Sequence, residues 1–299
     1  MVTIFKILLL KLHAFLQNNF QGKSMNKFSK LFLTFAFGAL LVGCGNSTST
    51  EKASNGLESI KQKGIITIGV FSDKPPFGFV NDKGENDGFD VAISRQIAKD
   101  LLGDANKVKF ELVEAASRVE FLKSGKVDVI MANFTQTKER AEVVDFATPY
   151  MKVALGVVSK DGAIQSIEDL KGKKLIINKG TTADFYFTKN HPEIELLKYD
   201  QNTEAFLALK DGRGVALAHD NLLVFAWAKE NPEFKVGIGK LGDEDVIAPA
   251  VKKGDKELLE WLNSEIKTLN ENGFMKEAYN KTLAPIYGEN QIESVLFTK

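Results

Sequence analysis

The sequence predicts an α/β protein with two lobes and a cleft between them. Apolar segments of β type alternate with amphipathic segments along residues 57–152, which indicates strands separated by helices. The same alternation restarts at residue 153 and continues to about residue 272. Two runs joined through strands near residues 153 and 247 place a cleft between two lobes, and such clefts commonly bind small molecules.

The first run has a clear order of elements. Strands are expected over residues 65–70, 108–112 and 127–131. A helix is expected over residues 91–102, because apolar residues recur at four-residue spacing and Gly103 ends the pattern. Ser117 and Glu120 form an S-x-x-E capping box, which predicts the start of a second helix that ends near Gly125.

The second run repeats this order, and we expect both sheets to be largely parallel. Strands are expected over residues 153–158, 175–177, 195–199, 215–218 and 246–251. Helices are expected around residues 183–190, 203–211, 221–230 and 256–272. Pro249 in the last strand indicates an edge or crossing position, because proline has no N–H for a strand ladder.

Residues 1–43 have the features of a secretory signal. Lysines at 27 and 30 precede an apolar run from Leu31 to Val42, which is about a dozen residues, whereas a membrane-spanning helix needs roughly 20. The run closes with LVGC, which resembles the lipobox of bacterial lipoproteins and predicts lipid modification of Cys44; a plain buried thiol is the alternative. Met25 starts a conventional signal by itself and is a candidate true start. Residues 44–56 are small and polar, as in a flexible tether.

Charge and composition exclude several functions. The chain has 39 basic and 39 acidic residues, and its leader contributes lysines but no acidic residue. The remainder is therefore net negative, which argues against a nucleic-acid partner. Only His191 and His219 lie beyond the leader, and no G-x-S-x-G motif occurs, so we predict no metal, no cofactor and no catalytic residues.

The stretch around Arg140 predicts a site for a small carboxylate. Arg140 falls in the first turn of a helix that opens near Thr137, where a cation is disfavoured unless an anion sits in front of it. Asn133 and Thr135 supply neutral polar groups beside it, and a guanidinium binds a carboxylate through two parallel hydrogen bonds. The alternative is a surface arginine paired with a neighbouring acidic residue.

Four motifs in order resemble the periplasmic polar amino-acid-binding proteins of ABC importers. They are GVFSDKPPFGFVNDKGENDGFDV (69–91), FLKSGKVDVIMANFTQTKERAEVVDFATPYM (121–151), SIEDLKGKKLIINKGTTAD (166–184) and HDN (219–221). The resemblance covers nearly the whole chain after the tether and is greatest to cysteine-binding lipoproteins of epsilonproteobacteria. It implies the type II periplasmic-binding-protein fold, with a ligand cleft between lobes joined by two hinge strands.

The resemblance assigns roles to individual residues that would bind an amino-acid zwitterion. Arg140 matches the family's carboxylate-binding arginine, with the Thr135 hydroxyl assisting it and the Asn133 backbone meeting the ammonium. Thr181 and Thr182 are expected to offer amides and hydroxyls to the same carboxylate from a helix start; an ordinary capped turn is the alternative. Asp220 matches the acidic residue that binds the ammonium, although a lone aspartate there would also suit a helix N-cap.

Three further positions bear on which amino acid is bound. Phe79 belongs to the KPPFGF loop that lines the cleft in the family. Arg118 stands where binders of acidic amino acids meet a side-chain carboxylate, and a structural cation pairing across the lobe is the alternative. Lys74 and Ala115 replace aromatic residues that sandwich long cationic side chains in other relatives, so such ligands are disfavoured.

The resemblance also sets the expected organisation and partners. We expect one lobe from residues 57–152 and 247–288, a second from 153–246 and a tail from 289–299. The expected protein is a monomer, anchored by lipid to an envelope membrane and facing the periplasm, that delivers a small polar L-amino acid to a separate ABC permease and its ATPase. Cysteine is favoured, with aspartate or glutamate as the alternative. A dehydratase on the same scaffold and an envelope adhesin or sensor are the competing functions.

Overall fold

The computed structural model describes residues 56–297. The predicted signal over residues 1–43, the predicted lipidation site at Cys44 and most of the tether lie outside the described residues. No helix within residues 56–297 is long and apolar enough to cross a membrane.

The described chain alternates strands and helices as the sequence predicts. The helices are α1 (Gly56–Lys63), α2 (Phe89–Leu102), α3 (Arg118–Lys123), α4 (Lys138–Ala141), α5 (Thr182–Asn190), α6 (Asn202–Lys210), α7 (Asn221–Glu230), α8 (Lys256–Glu271), α9 (Phe274–Thr282), α10 (Ala284–Tyr287) and α11 (Ile292–Val295). The strands are β1 (Ile66–Val70), β2 (Asp73–Lys74), β3 (Gly78–Val80), β4 (Asn86–Asp87), β5 (Val108–Leu112), β6 (Val129–Ile130), β7 (Val144–Phe146), β8 (Met151–Lys160), β9 (Lys174–Asn178), β10 (Glu195–Tyr199), β11 (Ala216–Asp220), β12 (Phe234–Ile247) and β13 (Ala250–Lys252).

The first lobe is built on a sheet of order β5-β1-β6-β13-β7. Strands β5, β1 and β6 are parallel, whereas β13 is antiparallel to both of its neighbours. Ile66, Ile68 and Val70 are completely buried in β1, and α2 buries Ile93 and Ile97 on one stripe. Burial of such side chains stabilises the fold by roughly 1.5–3 kcal/mol each.

The second lobe is built on a sheet of order β10-β9-β11-β8-β12. Strands β10, β9 and β11 are parallel, and β8 runs antiparallel to β11 and β12. Both sheets are therefore mixed, and the expectation of largely parallel sheets was wrong. The antiparallel members are the strands next to the two crossings between sheets, where the chain reverses direction.

The chain crosses between the two sheets at paired segments. Ile247 at the end of β12 pairs with Met151 at the start of β8, and β13 then joins the first sheet. Pro249 lies between β12 and β13, which confirms its predicted crossing position. The single strand expected over residues 246–251 is divided there, because proline cannot donate to a ladder.

Two of the differences between the predicted and observed elements have a clear physical reason. The long strand β12 was not predicted over residues 234–245. Glycines at 237, 239 and 242 interrupt the alternation of apolar and polar residues, and the pairing of β12 with β8 shifts register there. The capping box was also wrong. The Ser117 hydroxyl donates to the Glu114 carbonyl at 3.0 Å instead, because Ser117 has helical rather than extended dihedrals.

The end of the described chain packs on one crossing. Leu296 forms a bridge with Met151, and the Phe297 N–H donates to the Tyr150 carbonyl at 3.2 Å. The Lys152 ammonium also donates to the Glu293 carbonyl at 2.8 Å. Residues of the predicted tail therefore contact the strand that leaves the first lobe.

Candidate functional site

A small cavity with an accessible volume of only about 10 Å³ lies where the loops of the two lobes meet. Its lining residues are Phe71, Lys74, Ala115, Arg118, Asn133, Thr135, Arg140, Thr181, Thr182, His219 and Asp220. Drug-sized ligands occupy roughly 300–1,000 Å³, so this cavity is far too small for one, and even a ligand of a few heavy atoms requires its two walls to separate.

The fold explains why these residues meet. Most of them follow the carboxyl ends of the parallel strands β1, β5, β6, β9 and β11. Carboxyl ends of parallel strands share one edge of a sheet, and ligands of open α/β sheets bind there. We use "first-lobe wall" for Lys74, Arg118, Asn133, Thr135 and Arg140, and "second-lobe wall" for Thr181, Thr182, His219 and Asp220.

Arg140 is buried with part of its hydrogen-bonding capacity unused by the protein. It lies in α4 behind the Thr137 cap, as the sequence predicts. Its Nη1 donates to the Thr135 carbonyl at 2.6 Å and its Nη2 to the Gly180 carbonyl at 2.9 Å. Burial lowers the pKa of Arg140 to about 10, so it stays charged at neutral pH. A guanidinium has five N–H donors, so donors remain for a carboxylate.

Arg118 is occupied differently. Its guanidinium donates to the carbonyls of Ala115 and Ala132 at 3.0 Å and, more weakly, to those of Asn133 and Gly180 at 3.4 Å. Its Cζ lies 4.3 Å from the centroid of the Phe134 ring. Burial and the neighbouring Arg140 lower the pKa of Arg118 well below its usual value. These contacts indicate that Arg118 holds neighbouring loops together.

Gly180 is the point at which both arginines of the first lobe contact the second lobe. Its carbonyl accepts from Arg118 and Arg140. Its φ is +72°, and a Cβ atom there would lie 2.6 Å from the Cα of Ala116. Only glycine therefore permits this approach of the two lobes.

Lys74 and Asp220 form a buried ion pair between the lobes. Their Nζ and Oδ2 atoms are 2.6 Å apart, and Lys74 is 1% exposed. Burial lowers the pKa of Lys74 despite this partner. Burial acts to raise the pKa of Asp220, but Lys74 and His219 outweigh it and hold that pKa below its usual value. Asp220 is thus a buried anion that an ammonium can share.

A buried carboxylate behind the first-lobe wall fixes the Asn133 loop. Asp90 Oδ2 accepts from the Asn133 N–H and Oδ1 from the Tyr150 hydroxyl, both at 2.8 Å. Asn133 is held at a φ of +45°, in the sparsely populated left-handed region. Burial raises the pKa of Asp90 to about 7. The sequence reasoning missed Asp90, which looks like an ordinary acidic residue in the first turn of a helix.

Thr181 and Thr182, at the start of α5, differ in the hydrogen-bonding groups that they can offer a ligand. The Thr181 hydroxyl donates to the Asn178 carbonyl at 2.7 Å and accepts from the Asp184 N–H at 3.2 Å, so it caps α5. The Thr181 N–H also donates to the Asn178 carbonyl, at 3.4 Å. Thr182 at the first helical position therefore offers the better amide and hydroxyl for an anion.

The structure brings together eight of the nine ligand-binding residues expected from the sequence. Phe79 is the exception: it lies in β3 of a small three-stranded sheet and does not line the cavity. Phe71, directly after β1, supplies an aromatic ring instead. The sequence feature that could have identified Phe71 is its position directly after a buried strand. His219 also lines the cavity beside Asp220, although only Asp220 was singled out. No cluster able to hold a metal ion occurs within residues 56–297.

Comparison with known proteins gives a consistent result. Residues 66–284 match the family of bacterial extracellular solute-binding proteins, family 3. The chain is also 36% identical over 266 residues to the ABC transporter glutamine-binding protein of Bacillus subtilis, covering 86% of this chain and 97% of that protein. This chain belongs to that family.

Two solved structures resemble this solute-binding protein closely. A solute receptor for L-cysteine from Neisseria gonorrhoeae has 62% sequence identity and a TM-score of 0.79. A cysteine-binding protein from Campylobacter jejuni has 60% identity and a TM-score of 0.80. Each match covers 81% of this chain and 99% of the solved chain, so an equivalent of the described part folds by itself in both relatives.

These relatives confirm several expectations. The two-lobed type II fold is correct, and the protein is a binding component of an amino-acid ABC importer rather than an enzyme. Its partners are an amino acid and an ABC permease, and its place is the extracellular or periplasmic side of the cell membrane.

Proposed function

We propose that this protein captures L-cysteine in the cavity between its lobes and delivers it to the permease. The observation that carries this proposal is a narrow cavity with cations on one wall and Asp220 on the other. An amino-acid zwitterion needs both. The carboxylate would take the free donors of Arg140 and the amide of Thr182, and the ammonium would share Asp220 with Lys74.

The binding free energies available to so small a ligand favour one held mainly by charged groups. A ceiling of roughly 1.5 kcal/mol per non-hydrogen atom limits cysteine to about 10 kcal/mol of binding free energy. Micromolar affinity requires about 8 kcal/mol. Nearly every polar group of the ligand must then be paired, which a closed, water-free cavity favours.

The contacts of Arg118 favour cysteine over the acidic amino acids. Its donors face four carbonyl oxygens, so it has little capacity left for a side-chain carboxylate. The relatives named for L-cysteine at 60–62% identity support the same choice.

A thermal-shift screen of residues 45–299 against the twenty amino acids and cystine tests the ligand. A ligand at about 100 times its Kd adds roughly 2.7 kcal/mol of stability, which raises Tm by several degrees. We expect the largest shift with L-cysteine. A larger shift with aspartate or glutamate would contradict the cysteine assignment, and no shift with any amino acid would contradict the site itself.

The proposal includes a lipid anchor. Removal of the predicted signal peptide would leave Cys44 as the first residue, carrying palmitate or a similar acyl chain and holding a monomeric domain at the membrane. Labelling cells with a palmitate analogue tests this: wild type should carry the label and Cys44→Ser should not. Sedimentation of the labelled protein with membranes, lost in the variant, completes the test.

A further inference from the structure

His219 is a buried imidazole on the second-lobe wall that the amino-acid zwitterion does not use. It lies in β11 beside Asp220 and is 2% exposed. Charged groups from several elements surround it: Lys74 on β2, Arg118 on α3 and the adjacent Asp220. Its ring nitrogens are therefore withdrawn from water and set among fixed charges.

The hydrogen-bond network assigns the tautomer of His219. The Asp220 N–H donates to Nδ1 at 2.7 Å, so Nδ1 carries the lone pair. Burial and the neighbouring Lys74 lower the pKa of His219 to about 3, and the ring is neutral at physiological pH. In a neutral imidazole the proton must then reside on Nε2.

The Nε2–H group has no hydrogen-bond partner among residues 56–297, although it is shielded from solvent. A buried donor without an acceptor is costly, and native structures seldom retain one without a reason. Because His219 lines the cavity, a bound molecule that places an acceptor next to Nε2 would satisfy it.

The charges of the site identify the kind of acceptor. Lys74, Arg118 and Arg140 contribute three cations around the cavity, whereas Asp220 and the partly protonated Asp90 contribute fewer anions. Asp245 lies farther out and interacts with Arg140 and Asp220. A zwitterion adds no net charge, so this surplus of cationic groups favours a ligand that carries a further negative charge.

We propose that His219 recognises the side chain of the bound amino acid, with Nε2–H donating to a cysteine sulfur that is bound as the thiolate. The proposal rests on cysteine being the ligand. On binding, the S–H bond breaks, sulfur keeps the electron pair and the proton passes to solvent. A free thiol has a pKa of about 8.5 and is mostly protonated at neutral pH, so binding releases close to one proton per cysteine.

This recognition separates cysteine from amino acids of similar size. A serine hydroxyl does not ionise in this pH range, and alanine offers no acceptor to Nε2–H. Both would leave the excess of cations unbalanced. Cysteine is then preferred over serine because of its ionisation as well as its size.

Calorimetric titration of residues 45–299 with L-cysteine, in two buffers of different ionisation enthalpy near pH 7, counts the protons released. We expect close to one. The ultraviolet absorbance of the thiolate gives an independent readout, because Cys44 is the only cysteine and this part of the chain lacks it. Tight cysteine binding with no proton release and no thiolate absorbance would overturn the proposal and leave the proposed function intact.

Variants of His219 test the residue itself. His219→Leu should weaken cysteine binding at least tenfold and reduce proton release, with alanine binding little changed. His219→Gln retains an N–H donor and should recover part of the preference for cysteine over serine. His191→Leu, at a half-buried histidine that does not line the cavity, should bind cysteine as wild type does. An unchanged cysteine-to-serine ratio in a folded His219→Leu protein would overturn the proposal. If a different amino acid binds and cysteine does not, the proposed function and this inference both fail.

Discussion

The first-lobe wall and the second-lobe wall of the cavity are built on different principles. The first-lobe wall carries three buried cations, and its two arginines donate mainly to carbonyls of their own lobe. The second-lobe wall carries one anion, a neutral imidazole and the start of a helix. The arginines of the first-lobe wall are therefore held largely by their own lobe, whereas Lys74 and the second-lobe wall meet across the cavity.

This difference between the walls separates substitutions that affect ligand binding directly from those that affect closure of the lobes. Fixed cations in a dry site attract a carboxylate strongly, because little water screens them. Contacts between the lobes exist only in the closed arrangement, so they set how readily that arrangement forms. Substitutions on the first-lobe wall should act on ligand binding directly, and those at the lobe contacts should act through the closing equilibrium.

Arg140→Ala should give the largest effect. It leaves a ligand carboxylate buried without its main partner, which we expect to cost about 4 kcal/mol, or close to a thousandfold in Kd. Calorimetric titration with L-cysteine measures it. Lys99→Ala, on the exposed face of α2, serves as the control. Near-normal binding by Arg140→Ala would remove the carboxylate assignment.

Asp90→Asn should change how stability depends on pH. The folded state keeps the Asp90 proton up to about pH 7, while the unfolded carboxyl loses it near its ordinary pKa of 3.8. Between these values the folded state binds more protons, so the contribution of Asp90 is present at low pH and is lost as pH rises. Relative to Asp90→Asn, wild type should lose about 3–4 kcal/mol between pH 4 and pH 8.

Denaturant unfolding of both proteins across this pH range measures the difference, with Asp82→Asn on an exposed turn as the control. Parallel curves for wild type and Asp90→Asn would show that the first-lobe wall does not depend on this buried carboxyl.

Gly180→Ala tests the closest approach of the lobes. The added Cβ would meet the Ala116 backbone at 2.6 Å and would strain a residue at positive φ. We expect cysteine affinity to fall by about 2 kcal/mol, roughly thirtyfold, with the strain at φ contributing part of that loss. Small-angle scattering with saturating cysteine should show a less compact protein than wild type. Gly172→Ala is the matched control, since that glycine has positive φ and open space around it. Equal affinities in the two variants would show that lobe contact is not what Gly180 provides.

Asp73→Ala should give the smallest effect. Asp73 of the first lobe accepts from the Asn202 N–H at 2.7 Å and the Thr203 N–H at 3.2 Å, and so caps α6 of the second lobe. Loss of a cap costs about 1 kcal/mol. Because this cap forms only when the lobes are closed, the cost should appear as about a fivefold rise in Kd for cysteine. A fall in melting temperature of the free protein with unchanged Kd would place its role in folding instead.

The sequence carried enough information for the two-lobed fold and for most of the residues that line the cavity. Arg140 could be singled out because a cation at a helix start is disfavoured unless an anion sits in front of it, and Asp220 through the resemblance of HDN to the family. The partners of Arg118 could not be foreseen, since they are carbonyls at positions 115, 132, 133 and 180 that only the tertiary fold assembles. The long strand β12 was hidden because its glycines and bulges break the period-two pattern.

The packing of the chain end on a crossing strand has a practical consequence for sensing. Leu296 and Phe297 bind to residues 150 and 151, where the polypeptide passes from one lobe to the other. Any rotation of the lobes about that passage must change the surroundings of these two residues. We expect the emission of an environment-sensitive fluorophore attached at position 297 to change when cysteine is added. The labelled carboxyl end would then report the concentration of the ligand.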